Sequence, residues 1–412
     1  MTASLYMHIP FCSPNAWGGR CDYCDFFSVP VNAANDTNMM DSYISRLLGD
    51  IKDQFAMFGV DHVPTVYIGG GTPSALGSER MERLLAGLKA LLEPMAAPPA
   101  EITVEANPES ADEAFMQACV SGGITRISLG VQAFHEPSRQ AVRRTGSSSL
   151  IEERLALAAE YFPGAFSVDL ITGLPYQTIA IVRNDIERAL AFRPCHVSLY
   201  SLIVEPDTPL GKRVSPLHDG GPNRNGEAAL PCADAADSLW IAGRDMLEKA
   251  GLAQYEVSNF SLPGKECAHN IRYWRMENWL GAGPSASGTI INDTAGSGRR
   301  YTYPADIAAY LDSGPLDSAC AEELDKAALI RESLLMGFRY RGGPDPHIFR
   351  QRFGCSIEDC IPMAVSRWRG RGFFETGRPG NPAPSRRGML FLNGFLRDAF
   401  AELDSIEHYE HY

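Results

Sequence analysis

The chain has 412 residues, more than one ordinary hydrophobic core holds, and this length predicts a large domain joined to a smaller one. Its formal net charge of −13 repels phosphate backbones and disfavours a primary nucleic-acid binder. The sequence shows neither a signal peptide nor an apolar stretch long enough for a membrane span, so we predict a cytoplasmic protein.

Strand-like and helix-like runs alternate through the first half of the chain. Strands are predicted at residues 5–9, 65–68, 101–105, 126–130, 166–171 and 196–203. Helices are predicted between them at residues 41–58, 78–92, 111–120, 150–161 and 178–192. Six β/α units in a row are typical of parallel strands covered by helices.

The polar residues at the strand ends distinguish a barrel from an open, doubly wound sheet. An open sheet concentrates such residues at one switch point, whereas a barrel delivers them from every strand to one mouth. Here every predicted strand ends in polar or glycine residues, which are Cys12, Gly69, Gly70, Gly71, Thr72, Glu105, Gln132, Asp169 and Tyr200. We therefore expect an α/β fold, a partial barrel of six β/α units that resembles a TIM barrel.

The pattern changes after the sixth strand. Residues 211–230 are rich in glycine, proline, asparagine and serine and predict a loop, and residues 256–297 form an irregular segment with many aromatic side chains. Further helices are predicted at residues 234–250, 324–336, 348–353, 356–369 and 388–403. We divide the chain into a barrel core (1–210), an extension of the barrel (211–320) and a small, mainly helical C-terminal domain (321–412).

Three of the ten cysteines, Cys12, Cys21 and Cys24, lie within thirteen residues. Three thiolates on one loop can hold three irons of a [4Fe-4S] cubane and leave the fourth iron open. Zinc is the alternative, with His8 as a fourth ligand, but structural zinc sites are closed by four ligands and the next cysteine is distant. We favour the cluster, and we expect the seven other cysteines to be small buried side chains.

The residues around these cysteines resemble the start of the radical SAM family. The matching segments are Tyr6-Met7-His8-Ile9-Pro10-Phe11-Cys12 and Cys21-Asp22-Tyr23-Cys24-Asp25-Phe26. Within that family, the chain is most similar to the branch of oxygen-independent coproporphyrinogen oxidases and HemW-type heme chaperones, over almost its whole length. One departure is the first cysteine gap, which is eight residues here and three in the family. The turn formers Pro14, Asn15, Gly18 and Gly19 predict a loop that returns Cys21 to the cluster.

The resemblance also implies a site for S-adenosyl-L-methionine (SAM). It assigns to this site Tyr6, Tyr23, Gly70, Gly71, Thr72, Glu105, Gln132, Arg144 and Asp169. Glycines let the backbone approach a ligand closely, an arginine grips a carboxylate, and an aspartate accepts hydrogen bonds from ribose hydroxyls. A simple tight turn at the glycines and a solvated strand end at Glu105 are the structural alternatives.

A second motif, His269-Asn270-Ile271-Arg272-Tyr273-Trp274, resembles the HNxxYW signature of the HemW-type chaperones. A histidine beside tyrosine and tryptophan can ligate heme iron while the aromatic faces pack on the porphyrin. His269, Asn270, Tyr273 and Trp274 are therefore candidates for binding heme. The alternative is a packed segment near the barrel mouth, because single histidines are usually not ligands.

Two functions follow from the resemblance. The first is a heme chaperone that binds heme and transfers it to an acceptor protein. The second is an enzyme, a coproporphyrinogen III oxidase that decarboxylates its substrate to protoporphyrinogen IX. Phe26 stands where the oxidases have a further cysteine, their N-terminal arm is missing, and the HNxxYW motif is present, so the first is favoured. An RNA-modifying enzyme is disfavoured by the negative charge.

The partners expected from this reading are heme, an electron donor protein and an unknown heme-acceptor protein. Contact with a membrane is expected only through the acceptor, and nucleic acid is not expected. No catalytic residue is predicted.

Overall fold

The computed structural model describes residues 1–13, 20–31, 36–214, 230–314, 316–376 and 380–410. The turn formers Pro14, Asn15, Gly18 and Gly19 lie outside these ranges, as does most of the loop predicted at residues 211–230.

The strands are β1 (Ser4–Ile9), β2 (Phe11–Cys12), β3 (Val29–Pro30), β4 (Thr65–Gly70), β5 (Glu101–Ala106), β6 (Arg126–Gln132), β7 (Phe166–Thr172), β8 (His196–Ser201), β9 (Ala253–Gln254), β10 (Asn259–Ser261), β11 (Trp279–Ala282), β12 (Ser287–Asn292), β13 (Ser297–Thr302) and β14 (Cys320–Leu324). The helices are α1 (Thr37–Phe58), α2 (Ser78–Leu92), α3 (Glu113–Ser121), α4 (Glu136–Ala141), α5 (Ser148–Tyr161), α6 (Ile179–Leu190), α7 (Pro209–Val214), α8 (Ala233–Lys249), α9 (Ala268–Trp274), α10 (Ile307–Asp312), α11 (Lys326–Gly337), α12 (Pro346–Phe353), α13 (Ile357–Cys360), α14 (Pro362–Gly370) and α15 (Leu392–Glu410). Short 3-10 helices span Pro73–Leu76 and Gly388–Phe391.

A run of neighbouring parallel strands forms the centre of the fold. In the described part of the chain it has the order β11-β1-β4-β5-β6-β7-β8, and every pair in it is parallel. Antiparallel strands extend it on both sides, β12 to β14 beyond β11 and β10 with β9 beyond β8. The expected partial β/α barrel with a helical C-terminal region is confirmed. Because the strands are parallel, their carboxyl ends share one mouth.

The strand β11 is a difference from the sequence prediction, which described residues 256–297 as irregular. Its four residues are all buried, and they pair with β1 from Ser4↔Trp279 to Met7↔Ala282. Four residues that contain a glycine carry too little periodicity to be recognised. Residue Tyr6 therefore lies between Gly281 of β11 and Tyr67 of β4, in the interior of the sheet.

The parallel sheet is covered by amphipathic helices. Helix α1 buries Tyr43, Ile44, Leu47 and Ile51 against it, because these residues recur at the spacing of one helix face. A second hydrophobic core lies in the C-terminal region and contains the fully buried Phe395. None of the helices in the described ranges is both long and apolar enough to span a bilayer.

One difference from the prediction in the C-terminal helices is a break at a proline. A single helix was expected at residues 356–369, and the chain instead forms α13 and α14 with a break at Ile361. Pro362 causes the break, because proline has no backbone N–H and can begin a helix but not continue one. The division at residue 321 stays a proposal. Strand β14, at this boundary, pairs with β13 of the extension.

We predict that Phe395→Ala strongly destabilises the C-terminal core. The ring of Phe395 is stacked on Phe373 at 4.7 Å and meets Phe338 edge-on at 4.7 Å between centroids. Removal of a buried phenylalanine costs about 3–5 kcal/mol of unfolding free energy. The control is Phe391→Ala, because Phe391 is half exposed. Urea unfolding followed by circular dichroism measures both, and equal midpoints for the two variants would contradict the packing.

Candidate functional site

A cavity of about 780 Å³ opens at the carboxyl ends of the parallel strands. The residues that the resemblance assigns to the cluster and to SAM all line it. They are Tyr6, Cys12, Cys21, Tyr23, Cys24, Gly70, Gly71, Thr72, Glu105, Gln132, Arg144 and Asp169. Most of them lie at the carboxyl end of a strand or in the segment that follows one, whereas Tyr6 and Asp169 lie within β1 and β7. The parallel topology brings these positions together.

The three cysteines of the loop are half-buried at the cavity wall. The Cys12 Sγ lies 3.3 Å from Ser28 Oγ and 3.4 Å from Thr72 Oγ1, and the Cys21 Sγ lies 3.5 Å from Arg144 Nη1. Burial raises the pKa of the Cys24 thiol to about 11. This burial favours a bound cation, because a metal centre compensates the desolvation of a thiolate.

The zinc alternative has no assembled set of ligands in the described part of the chain. Among the described residues, no three His, Cys, Asp or Glu side chains are grouped so that they could hold one metal ion. A cubane does not need that convergence, since each thiolate binds a different iron. His8 is also occupied, because its Nδ1 accepts from Tyr6 Oη at 3.1 Å and its Nε2 donates to the Phe27 carbonyl at 2.9 Å.

The loop that carries Cys21 and Cys24 is anchored through Asp22. The Asp22 carboxylate is buried and forms an ion pair with Arg213 of α7 at 2.5 Å. Its backbone N–H donates to the Val142 carbonyl at 3.0 Å, and its carbonyl accepts from Leu210 at 2.9 Å. Loss of one partner of a buried ion pair is costly, so these contacts hold the loop in one place.

Helix α7 was missed by the sequence prediction, which assigned a loop from residue 211. A signal for it exists: Thr208 and Pro209 are a good helix start, and Thr208 Oγ1 accepts from the Gly211 N–H at 3.1 Å. The following glycine, Gly211, weakens the pattern. The helix forms because its tertiary contacts with Asp22 compensate for its short length.

The glycines after β4 are required by close packing. A Cβ on Gly70 would lie 2.7 Å from ring atoms of His8, and one on Gly71 would lie 2.7 Å from the Phe11 carbonyl oxygen. Gly70 also has a φ of 109°, a backbone conformation that residues other than glycine rarely adopt. The segment thus lets the backbone reach the cavity, where the Gly70 N–H donates to Glu105 Oε2 at 3.2 Å.

Two carboxyl groups face the cavity, and hydrogen bonds offset only part of their desolvation. Burial raises the pKa of Glu105 to about 7, and the charge of Asp169 adds to the rise. Burial also raises the pKa of Asp169, which accepts a hydrogen bond from Ser128 Oγ at 3.0 Å. Tyr67 Oη donates to Glu105 Oε1 at 2.7 Å. Two desolvated acids near one another suit a cationic ligand, which would offset both charges.

Gln132 and Arg144 complete the wall. Gln132 lies at a bulge of β6 with a φ of 69°, and its buried Oε1 has no hydrogen-bond partner. A buried acceptor without a donor is costly unless a ligand supplies one. The Arg144 Nη2 donates to Asn107 Oδ1 at 2.9 Å and to the Gly130 carbonyl at 2.5 Å. The acids, the free acceptor and the buried guanidinium therefore fit a charged ligand such as SAM.

The HNxxYW motif lies at the other end of the barrel. It forms α9, whose Ala268 and His269 N–H groups donate to the Glu101 carboxylate at 3.0 Å each. His269 Nδ1 lies 2.9 Å from Thr65 Oγ1, and its Nε2 lies 2.9 Å from Tyr273 Oη. Thr65 and Glu101 begin β4 and β5, so the motif caps the amino ends of the strands.

This position differs from the expected segment near the barrel mouth. Among the described residues that line the mouth cavity, none of His269, Asn270, Tyr273 and Trp274 occurs. Burial lowers the pKa of His269 to about 3, and both ring nitrogens are engaged. Ligation of iron by His269 would require these hydrogen bonds to break, and its role in binding heme stays a prediction.

A parallel β/α barrel with three thiols at its mouth defines a radical SAM protein, and the model of the Radical SAM superfamily matches residues 6–189. Heme chaperone HemW from Lactococcus lactis subsp. lactis is 35% identical over 356 residues, 86% of each chain. Heme chaperone HemW from Escherichia coli K12 is 36% identical over 287 residues, 70% of each chain. The chain belongs to this HemW family.

The solved structure of coproporphyrinogen III oxidase (HemN) from Escherichia coli, a radical SAM enzyme, is similar in fold. Its TM-score is 0.76, and the match covers 97% of this chain and 90% of that chain. The sequence identity is 20%, so the likeness concerns the fold alone.

We predict that Glu105 makes stability depend on pH in the protein without SAM. Its pKa is raised from 4.5 to about 7 in the folded protein. The stability that protonated Glu105 contributes is therefore fully present below pH 4.5 and is lost as the pH rises through 7. The loss amounts to at most about 3 kcal/mol. Urea unfolding should be measured for Glu105→Gln and the wild type at pH 5 and pH 8. The stability of the variant relative to the wild type should be higher at pH 8 than at pH 5. The exposed Glu323→Gln serves as the control, and a pH-independent difference for Glu105→Gln would contradict the desolvation.

Proposed function

We propose that the chain is a heme chaperone, which binds heme and transfers it to an acceptor protein, and that its barrel mouth holds a [4Fe-4S] cluster and SAM. The observation that carries this proposal is the similarity to HemW heme chaperones over 86% of both chains. The alternative, a coproporphyrinogen III oxidase, rests on likeness of fold at 20% identity. Phe26, in place of a further cysteine, favours the chaperone.

We propose Cys12, Cys21 and Cys24 as the cluster ligands. Their common cavity, their partial burial and the anchoring of the loop through Asp22 and Arg213 support this assignment. When bound, the cluster supplies electrons to SAM. The longer gap between Cys12 and Cys21 leaves both thiols at the same cavity.

The SAM residues divide by charge. Glu105 and Asp169 would offset the positive charge of the sulfonium and amino groups, and Arg144 would pair with the carboxylate. Gln132 would accept a hydrogen bond through its free Oε1. Gly70, Gly71 and Thr72 would bind the methionine end through backbone and hydroxyl groups. Tyr6 and Tyr23 would pack beside it.

The remaining partners are proposals from the sequence. They are an electron donor protein, a heme-acceptor protein of unknown identity, and membrane contact only through that acceptor. A cytoplasmic location belongs with them. Heme contact by His269, Asn270, Tyr273 and Trp274 is retained as a candidate that requires α9 to open.

We predict that Cys24→Ser prevents assembly of the cluster. After anaerobic reconstitution the wild type should hold about four irons per chain, by the stoichiometry of a cubane. The variant should lose the absorption and most of the iron, because one iron lacks its thiolate. The matched control is Cys320→Ser in β14. Contrary to the expectation from the sequence, Cys320 and Cys232 are exposed rather than buried. A full cluster spectrum in Cys24→Ser, or stoichiometric zinc in the wild type, would refute the assignment.

We predict that the reconstituted protein binds heme and does not convert coproporphyrinogen III. Titration with heme should shift the Soret band and saturate near one heme per chain. Incubation with coproporphyrinogen III, SAM and an electron donor should leave the substrate unchanged. Formation of protoporphyrinogen IX at many turnovers would establish the oxidase instead, and absence of any saturable Soret shift would overturn the chaperone.

A further inference from the structure

Two segments that line the mouth cavity are not used by the residues proposed for the cluster and SAM. They are Phe26 on the cluster loop and residues 200–203, at and beyond the end of β8. Tyr23 of the cluster loop and Leu202 pack against the same apolar cluster, which relates the two segments. Phe26 is 65% exposed and Ile203 is 72% exposed, although both line the cavity. Large exposed apolar side chains at the rim of a cavity are typical of a surface that a ligand covers.

Charged side chains accompany this apolar rim. Arg20 and Arg143 line the same cavity. Arg20 Nη1 donates a hydrogen bond to the Phe26 carbonyl at 2.5 Å, so this guanidinium lies next to Phe26. Arg143 is 46% exposed beside the cluster loop. The acids Asp25 and Glu205 also line the cavity. A flat apolar ligand that carries carboxylates would match the rim and its two arginines.

At the opposite end of the barrel, none of the described residues of the HNxxYW motif is exposed. There His269 is 1% exposed, and its ring lies between Tyr67 and Tyr273, with centroids at 5.2 Å and 4.8 Å. A macrocycle would have to displace these rings and the hydrogen bonds of both imidazole nitrogens. At the mouth, the ligand would cover side chains that already face solvent.

We propose that heme binds at the barrel mouth, with its macrocycle on Phe26 and Ile203 and its propionates facing Arg20 and Arg143. This inference rests on the proposed function, since it takes from it that the chain binds heme. It assigns the binding surface to residues outside the HNxxYW motif. Heme then lies at the same opening as the cluster and SAM.

The first experiment compares two double variants by heme titration of the reconstituted full chain. Phe26→Ser with Ile203→Ser should weaken heme binding by about tenfold or more, because it removes two apolar contacts. The matched control is Met363→Ser with Phe391→Ser, which changes two apolar residues of similar exposure (63% and 50%) in the C-terminal region. The control should bind heme within about twofold of the wild type.

The second experiment tests the arginines with a modified ligand. Arg143→Gln should weaken the binding of heme by about fivefold or more, and it should leave the binding of heme dimethyl ester unchanged, since the ester has no charged carboxylates. Because Arg143 also lies 3.5 Å from Asp22, a loosened cluster loop would weaken both ligands equally. Equal weakening would therefore contradict the contact with propionates.

The outcomes separate this inference from the proposed function. If the wild type binds heme and the rim double variant binds it equally well, the mouth site is wrong while the chaperone function stands. If Tyr273→Phe weakens binding and the rim variant does not, the heme lies at α9. If the wild type does not bind heme at all, the proposed function and the mouth site both fail.

Discussion

The parallel alignment of the central strands is the constraint on which the site depends. Several of these strands contribute residues at their carboxyl ends, and residues as distant in sequence as Tyr6 of β1 and Asp169 of β7 face one cavity for this reason. This convergence removes the two carboxyl groups from water, and the desolvation raises the pKa of both Glu105 and Asp169. A cationic ligand would offset the free-energy cost of ionising these two desolvated carboxyl groups, so the cavity is suited to a positively charged ligand.

Much of the barrel follows from local sequence, because its strands and helices have clear apolar periodicity. The predicted helix at residues 78–92 coincides with α2, and the six predicted strands correspond to β1, β4, β5, β6, β7 and β8. The site at the mouth follows too, since strand ends in a barrel meet. Among the elements missed, β11 and α7 are short and depend on distant partners, which are β1 for the first and Asp22 for the second.

The position of the HNxxYW motif could not be read from its residues. A histidine with two aromatic neighbours has the same pattern whether it binds a ligand or packs under a barrel. Two contacts fix the position of the motif. Glu101 caps the N-terminus of α9, and Thr65 forms a hydrogen bond with the His269 ring. Tyr67 then connects the two ends of the barrel. Its ring contacts His269 and its hydroxyl donates to Glu105, so one side chain contacts both α9 and the mouth.

The most direct test of a shared mouth for cluster and SAM is electron paramagnetic resonance of the reduced, reconstituted protein with and without SAM. A SAM molecule that binds in the same cavity as Cys12, Cys21 and Cys24 changes the surroundings of the cluster, so its signal should shift on addition of saturating SAM. Asp169→Asn should require more SAM for the same shift while its signal without SAM is unchanged. An identical spectrum at a SAM concentration that equilibrium dialysis shows to be saturating would contradict the shared mouth.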